Sequence, residues 1–295
     1  MQIGMLALGV GFAAEAAGAK ELTIESERLG FASLWAPEHV VLFGRYESAY
    51  PYSKDGSFPF DPKAAFLNPF VALAFAAACS SRIRLGTGIC LVPEYHPLML
   101  GKIVASTEAM CPGRFALGVG IGWSAEEFAA LNIPWERRAR RTIESLEVMK
   151  SLWSDDFTSH RGEFVDVEAA ACYPKPRMRD KLPIVFGGES KPALRRVARH
   201  GSGWWGVNLT PDETAVRLEE LRRLLSEAGR KLEDVEILIS PYTRSCTRDD
   251  LARYRDLGVS EIVLMPFALG RDWKRASEMV ADLAKEYVEP AARLV

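Results

Sequence analysis

Short β-prone runs and longer helical segments alternate along the whole chain, forming eight successive pairs within 295 residues. Eight strand–helix pairs in a chain of this length are typical of a (β/α)8 or TIM barrel. The sequence therefore predicts a single α/β domain over residues 1–295. An open doubly wound sheet is the alternative, because it shows the same alternation. The predicted strands are Gln2–Ala7, Ser33–Ala36, Arg82–Cys90, Arg114–Gly118, Pro183–Gly187, Gly203–Val207, Val235–Ser240 and Glu261–Met265.

The predicted helices follow the strands and show apolar residues at helical spacing, which gives each helix one buried face. The segment Thr210–Glu213 matches a capping box with proline at the first helical position, and Ser124 with Glu127 repeats the box pattern. The predicted helices are Ala14–Leu29, Pro69–Ser80, Pro97–Met110, Ala125–Leu131 with Arg137–Trp153, Lys191–His200, Pro211–Ala228, Arg248–Leu257 and Asp272–Tyr287.

Two segments interrupt the alternation. Residues 37–68 form a long loop rich in aromatic residues and turn formers. A loop of about thirty residues is uncommon in a compact domain and is usually functional, so we expect a lid or substrate wall. Residues 154–182 lie between a helix and the fifth strand. We expect them on the N-terminal side of the barrel, with a small structural hairpin formed by Phe157–Ser159 and Glu163–Val167.

Composition excludes several classes of protein. The net charge is −2, from 37 basic and 39 acidic residues. Proteins that bind nucleic acid or anionic membranes need a predominantly positive surface, which this composition does not favour. Five cysteines without a C-x-x-C pair indicate reduced thiols. The N-terminus does not resemble a signal peptide, and the longest apolar run, Pro69–Cys79, is too short to span a membrane. We therefore expect a cytoplasmic protein.

Known metal and nucleophile motifs are missing from the sequence. Its four histidines form neither an H-x-H nor an H-E-x-x-H pattern, so no metal site is predicted. The chain also has no G-x-S-x-G motif to anchor an α/β-hydrolase triad. Gly118–Gly122 resembles a dinucleotide fingerprint, but Trp123 occupies the position of its last glycine. We therefore reject a Rossmann fold.

The predicted site lies at the C-terminal strand ends, where barrel enzymes place their active sites. Four segments meet this condition: Ala36–His39, Thr87–Cys90, Gly118–Trp123 and Gly187–Ser190. The last two are glycine-rich turns leading into helices, where backbone N–H groups can bind a phosphate. The Gly187–Ser190 turn is the better phosphate site, because Ser190 can cap the helix and Arg195 and Arg196 lie one turn on. The alternative is that the glycines only allow tight turns.

His39 is the strongest single candidate for a catalytic residue. It follows Glu38 at a strand end, where its imidazole can donate to a cofactor carbonyl or exchange a proton with substrate. The alternative is a histidine whose bonds are satisfied by the protein. His96, between Tyr95 and Pro97, is a second residue expected at the barrel mouth.

Taken together, the motifs resemble the luciferase-like monooxygenase superfamily, and in particular its coenzyme F420-dependent oxidoreductases. The resemblance covers nearly the whole chain. The motifs that carry it are Leu34–His39, Tyr50–Gly56, Arg82–Gly88, Tyr95–Pro97, Gly113–Trp123, and Pro183–Gly188 with Ser190.

The resemblance implies a barrel that binds FMN or the deazaflavin F420 with its ring across the mouth. It implies a cis peptide at Gly88–Ile89 behind the ring and a proton-transfer role for His39. Family members often have aspartate where Glu38 stands, and Glu189 is an unusual acidic residue in a phosphate turn. The residues expected to bind the cofactor are Ala7, His39, Thr87, Gly88, Ile89, Gly120, Gly122, Trp123, Gly187, Gly188, Glu189 and Ser190.

The expected function is hydride transfer between F420 and a small organic substrate, with His39 as proton donor or acceptor. Three alternatives remain: an FMN-dependent monooxygenase using O2, a non-catalytic flavin-binding subunit, and a barrel enzyme without flavin. The family resemblance also implies a homodimer.

Overall fold

Parallel strands close into a barrel. The computed structural model describes residues 1–267 and 275–294, and within them eight parallel strands form a continuous ring. Counted along the chain, the barrel strands follow one another around the ring in the order third, second, first, eighth, seventh, sixth, fifth and fourth. The ring closes where Leu85 of the third strand pairs with Phe115 of the fourth. This closure confirms the barrel and excludes the open sheet. The barrel strands are β1 Gln2–Leu6, β2 Ser33–Ala36, β3 Arg84–Thr87, β5 Phe115–Gly120, β8 Ile184–Gly187, β9 Gly203–Val207, β10 Glu236–Ser240 and β11 Glu261–Leu264.

The third predicted strand divides into two pieces. β3 ends at Thr87, and a short strand β4, Cys90–Leu91, pairs with the last residues of β5. Between them the Gly88–Ile89 peptide is cis, as the family resemblance implied. β5 extends two residues beyond its predicted end, to Gly120, because β4 supplies backbone partners for Val119 and Gly120.

The helices begin close to the predicted positions because local signals set them. Asn68 caps α2, Ser190 caps α6, and Thr210 with Glu213 forms a complete capping box at α7. The predicted start of the last helix, Asp272, lies outside the described residues. The helices are α1 Ala16–Arg28, α2 Pro69–Cys79, α3 Pro97–Met110, α4 Ala125–Ala130, α5 Arg138–Ser154, α6 Lys191–His200, α7 Pro211–Glu227, α8 Arg248–Asp256, α9 Ala276–Leu283 and, after a π-helical turn at Ala284–Val288, α10 Glu289–Ala292.

Side chains fill the barrel interior toward the N-terminal ends of the strands. Trp35 and Trp205 pack edge to face, with ring centroids 4.8 Å apart, among aliphatic residues of the other strands. At the strand starts, Ser33 donates a hydrogen bond to the buried Glu261. Because the interior is packed at this end, free space lies at the C-terminal ends of the strands. No helix within the described residues is long and apolar enough to cross a membrane.

The 154–182 segment contains the predicted hairpin, but its turn lies elsewhere than expected. Strand β6, Thr158–Arg161, pairs antiparallel with β7, Asp166–Ala170. Between them, Glu163 contacts Arg137 and Arg140 at the start of α5. Since α5 starts on the side where β5 ends, the hairpin turn reaches the C-terminal side of the barrel. The contacts of Glu163 with α5 therefore decide where the hairpin turn lies, although the segment leads into a strand that starts at the N-terminal side.

Candidate active site

A cavity of about 350 Å³ lies at the C-terminal ends of the strands. Its size is within the range of small-molecule sites, roughly 300–1,000 Å³. The four predicted strand-end segments all reach it, together with the 37–68 loop. Ten of the predicted cofactor-binding residues line it: His39, Gly88, Ile89, Gly120, Gly122, Trp123, Gly187, Gly188, Glu189 and Ser190.

Three other predicted residues lie away from the cavity wall. Ala7 is fully buried, and its N–H donates to the Trp35 carbonyl oxygen. Thr87 is also fully buried, and its hydroxyl donates to the Gly118 carbonyl oxygen at 2.8 Å. His96 is exposed, and its Nδ1 accepts from the Leu98 N–H as a cap of α3. The structure therefore gives all three positions packing or capping contacts.

Ile89 forms part of the cavity wall, and two glycines make room for its side chain. A Cβ atom at either Gly120 or Gly187 would lie 2.7 Å from the Ile89 Cδ1 atom. Such a distance is too short for a normal contact, so neither position accepts a side chain unless Ile89 moves. Gly188 differs, because its φ of +109° requires glycine directly. Gly120 and Gly187 are thus explained by the packing of the apolar wall, and they are also compatible with a phosphate-binding turn.

One end of the cavity carries positive charge that no carboxylate of residues 1–267 or 275–294 neutralises. Arg196 of α6 lines the cavity, and its buried Nε has no hydrogen-bond partner within those residues. Burial and the nearby Arg138 both lower the pKa of Arg196. Arg138 stacks 3.5 Å above the Trp135 ring, and neither arginine pairs with a carboxylate of the described residues. Together with the N-terminus of α6, this arrangement suits a phosphate group.

Glu189 does not oppose an anion at this end. Its Oε1 accepts a hydrogen bond from the Val207 N–H at 2.7 Å, so the carboxyl turns toward β9. Burial raises the pKa of Glu189 to about 7, which reduces its charge near neutral pH. The acidic residue in the glycine turn is therefore compatible with a phosphate at the start of α6.

His39 also lines the cavity, and the Glu127 carboxyl group holds its ring. Its Nδ1 lies 2.9 Å from Glu127 Oε2, and Glu127 Oε1 accepts from the Val40 N–H at 2.6 Å. A carboxylate at Nδ1 favours the tautomer with the proton on Nδ1. Nε2 is then available to the cavity. The ring packs edge to face against Phe58 at 5.0 Å and Trp123 at 5.9 Å.

Glu127 was predicted only as the third residue of a capping box. The structure contains half of that box: the Ser124 hydroxyl accepts from the Glu127 N–H. The Glu127 side chain instead crosses to His39 and Val40. The contact joins residues 88 positions apart, so no local spacing in the sequence could reveal it.

Two further carboxyl groups lie beneath this pair. Glu38 accepts hydrogen bonds from Tyr95 Oη and from the Leu91 N–H, and burial raises its pKa. Both carboxyl oxygens of Glu94 are buried, and no described residue forms a hydrogen bond with them. Burial, then repulsion from Glu127 and Glu38, raises the pKa of Glu94 to about 9. Sequence reasoning missed Glu94, since nothing local marks it as buried.

This raised pKa predicts how stability depends on pH. The folded protein keeps a proton on Glu94 that the unfolded chain releases above about pH 4.5, so stability falls as pH rises toward 9. The variant Glu94→Gln cannot ionise. We expect its free energy of unfolding, relative to wild type, to increase between pH 5 and pH 8 by up to about 1 kcal/mol per pH unit.

Urea unfolding of both proteins at several pH values measures this difference. Glu219→Gln, on an exposed face of α7, is the control, and its pH profile should run parallel to that of wild type. A parallel profile for Glu94→Gln would contradict the assignment of Glu94 as a buried, protonated group.

The 37–68 loop covers the cavity with aromatic side chains. Trp123 is the centre of this cover, since Tyr50 and Phe58 pack within 5.1 and 5.2 Å of its ring. The Tyr50 hydroxyl also donates to the Tyr242 hydroxyl at 3.3 Å, which links the loop to the seventh barrel strand end. From α4, Glu126 accepts two backbone N–H groups of the loop. The loop thus forms a largely apolar wall opposite Ile89.

In the part of the chain that the structure describes, no group of three or more His, Cys, Asp or Glu side chains is arranged to hold a metal ion.

Comparison with known proteins gives relatives over almost the whole chain. The sequence profile of the luciferase-like monooxygenase family matches residues 1–288. An uncharacterised protein of Mycobacterium tuberculosis is 32% identical over 275 residues, covering 90% of each chain. An F420-dependent glucose-6-phosphate dehydrogenase of Microbacterium testaceum is 28% identical over 221 residues, covering 72% of this chain and 60% of that relative.

Solved structures show the same fold at lower identity. Monooxygenase RslO1 from Streptomyces bottropensis aligns with a TM-score of 0.75 and 21% identity over 98% of this chain and 99% of its own. The coenzyme F420-dependent tetrahydromethanopterin reductase of Methanopyrus kandleri aligns with a TM-score of 0.75 and 14% identity over 98% of each chain. Because the family profile spans nearly every residue that builds the barrel and its cavity, the chain belongs to the luciferase-like monooxygenase family.

Proposed function

We propose that the protein is an F420-dependent oxidoreductase that transfers a hydride between the deazaflavin and a small organic substrate. The observation that carries this proposal is the arrangement of the cavity. Three different residues line the same cavity: Arg196 at its anion end, Ile89 in its apolar wall and His39 as the group for proton transfer. A phosphorylated, planar redox cofactor needs all three features.

Each group has a distinct role. Arg196 and the N-terminus of α6 would hold the phosphate, and Gly88–Ile89 would support one face of the ring. When bound, the deazaflavin supplies the two-electron step by accepting or donating a hydride at a substrate carbon. His39 would accept or return, at Nε2, the proton that balances this transfer. Glu127 fixes the orientation of His39 through the contact at Nδ1.

The aromatic loop contributes by excluding water. Tyr50, Phe58 and Trp123 enclose the space next to His39 and leave few polar groups there. An apolar enclosure strengthens the electrostatic interactions within it and protects a reduced cofactor from solvent. The substrate itself is therefore expected to be small and mainly apolar, with one polar atom directed at His39.

F420 is favoured because relatives named for F420 share both sequence and fold with this chain. An FMN-dependent monooxygenase is the second candidate; the fold match to the Streptomyces monooxygenase supports its reaction class and leaves the choice of FMN to the binding test. The pairing of His39 with Glu127 favours an active enzyme over a non-catalytic flavin-binding subunit, because a buried, oriented imidazole has no use in a passive binder.

Titration of the apoprotein with F420 and with FMN, each followed by fluorescence, tests this proposal. We expect tighter binding of F420. Turnover is then screened by the absorbance of oxidised F420 with a panel of small alcohols, aldehydes and enones, and we expect no O2 uptake. Tight binding of FMN with O2 consumption would replace the proposal with the monooxygenase.

The loop offers an independent prediction. Cofactor in the cavity would contact Tyr50, Tyr52 and Phe58 and stabilise the closed loop, so trypsin should cut after Arg45 and Lys54 more slowly. Both sites are exposed on the outer side of the loop. Gel analysis of a digestion time course measures the effect. Cleavage after the exposed Lys231, on the other side of the barrel, is the control, and equal protection at all three sites would contradict the lid.

A further inference from the structure

A second cavity lies on the outside of the barrel, next to the first. It has a volume of about 620 Å³ and is bounded by α5, α6 and the hairpin turn around Glu163. We call it the outer groove. Arg196 lines both the main cavity and the outer groove, so its side chain borders the two spaces at the anion end of the site.

The outer groove carries unneutralised positive charge on α6. Arg195, Arg196 and Arg199 all line it, and none of them forms an ion pair or a side-chain hydrogen bond with residues 1–267 or 275–294. Arg199 follows Arg195 by four positions and Arg196 by three, so it lies next to both on the helix surface. His200 also lines this face, and burial lowers its pKa.

The acidic side chains of the outer groove are mostly engaged already. Glu163 pairs with Arg140 at 2.5 Å and also contacts Arg137. Glu144 accepts hydrogen bonds from three backbone N–H groups of the hairpin turn, and His160 lies 3.5 Å away. Glu147 is the remaining acid of the groove. Among the residues that the structure describes, three arginines of the groove therefore face one carboxylate without an ion pair, and the groove attracts anions.

We propose that the outer groove binds a chain of carboxylates continuing from the phosphate held at Arg196, namely the glutamyl tail of F420. This assignment rests on the proposed function. In F420 the phosphate is a diester that continues into lactate and several glutamates, whereas in FMN the phosphate ends the molecule. An arginine-lined groove that borders the phosphate end through Arg196 can receive the carboxylates that follow the phosphate of F420, whereas FMN has no group beyond its phosphate to place there.

Binding of two forms of the deazaflavin tests the assignment: F420 with several glutamates, and the form that ends in lactate. Fluorescence titration of the wild-type protein should give tighter binding of the glutamylated form, by about fivefold to tenfold at low salt, as expected for two or three solvent-exposed charge contacts. The advantage should shrink as salt is raised, because exposed charges are screened.

The double variant Arg195→Ala/Arg199→Ala should lose this advantage and still bind the lactate-terminated form as wild type does. The matched control is Arg222→Ala/Arg223→Ala, which removes two exposed arginines of α7 and should keep the full advantage. Equal affinity of wild type for both forms would overturn the groove assignment alone, as would equal weakening of both forms in the double variant. If the wild type bound neither form, the proposed function would fail and the groove assignment with it.

Discussion

Replacing His39 by alanine is expected to lower turnover by at least about 100-fold, because a positioned general acid or base contributes roughly 10²–10⁴-fold. Cofactor affinity should change little. His39 packs against the loop aromatics and bonds to Glu127, whereas the anion end of the cavity lies at Arg196. The loss should therefore appear in kcat.

The measurement is the rate of F420 reduction with a substrate found in the turnover screen, together with a fluorescence titration of the cofactor. His96→Ala is the matched control, because it removes a histidine that lies outside the cavity. It should keep near-normal turnover and lose only the cap of α3. Unchanged turnover in His39→Ala would remove this residue from the mechanism.

Replacing Arg196 by alanine is expected to weaken cofactor binding by about 10- to 100-fold. A hydrogen bond to a charged group contributes roughly 1.5–3 kcal/mol. The Arg196 Nε has no partner within the described residues, so its removal breaks no hydrogen bond of the protein itself. It also relieves the repulsion with Arg138 and the cost of burying the guanidinium. The apoprotein should thus be as stable as wild type, or more so.

Two measurements separate binding from folding: a fluorescence titration of the cofactor and the thermal midpoint Tm of the apoprotein. Arg222→Ala on α7 controls for the loss of one positive charge. Weaker binding accompanied by an unchanged or higher Tm supports an anion site in which the unpaired guanidinium of Arg196 serves binding and not stability. A lower Tm with unchanged affinity would show that Arg196 is structural.

The fold was predictable from short-range signals. Eight alternating pairs, the Thr210–Glu213 capping box and the proline at the start of α3 set most element boundaries to within two residues. The division of the third strand was implied only by the family resemblance, through the cis peptide at Gly88–Ile89. No local signal indicates it, and Ile89 lies beside Gly120 and Gly187, which are 31 and 98 positions further along the chain.

The candidate site was predictable in outline. Strand-end position identified His39 and the glycine turns, because parallel strands in a barrel end on one side. His96, also expected at the mouth, instead caps a helix, and two residues of the expected cofactor site, Ala7 and Thr87, are buried and do not line the cavity. Position along a strand does not say whether a side chain points into the mouth or into the surrounding packing.

By itself, the sequence determined which segments form strands and helices and which of their ends gather at one mouth, because periodicity, caps and turns act over a few residues. Only the tertiary structure decided how that mouth is charged. Glu127 became the partner of His39, Glu94 a buried acid, and Arg196 a cation with no partner among the described residues. The reason is that burial and pairing at these positions depend on contacts between distant segments, which exist only once β3 meets β5 and the barrel closes.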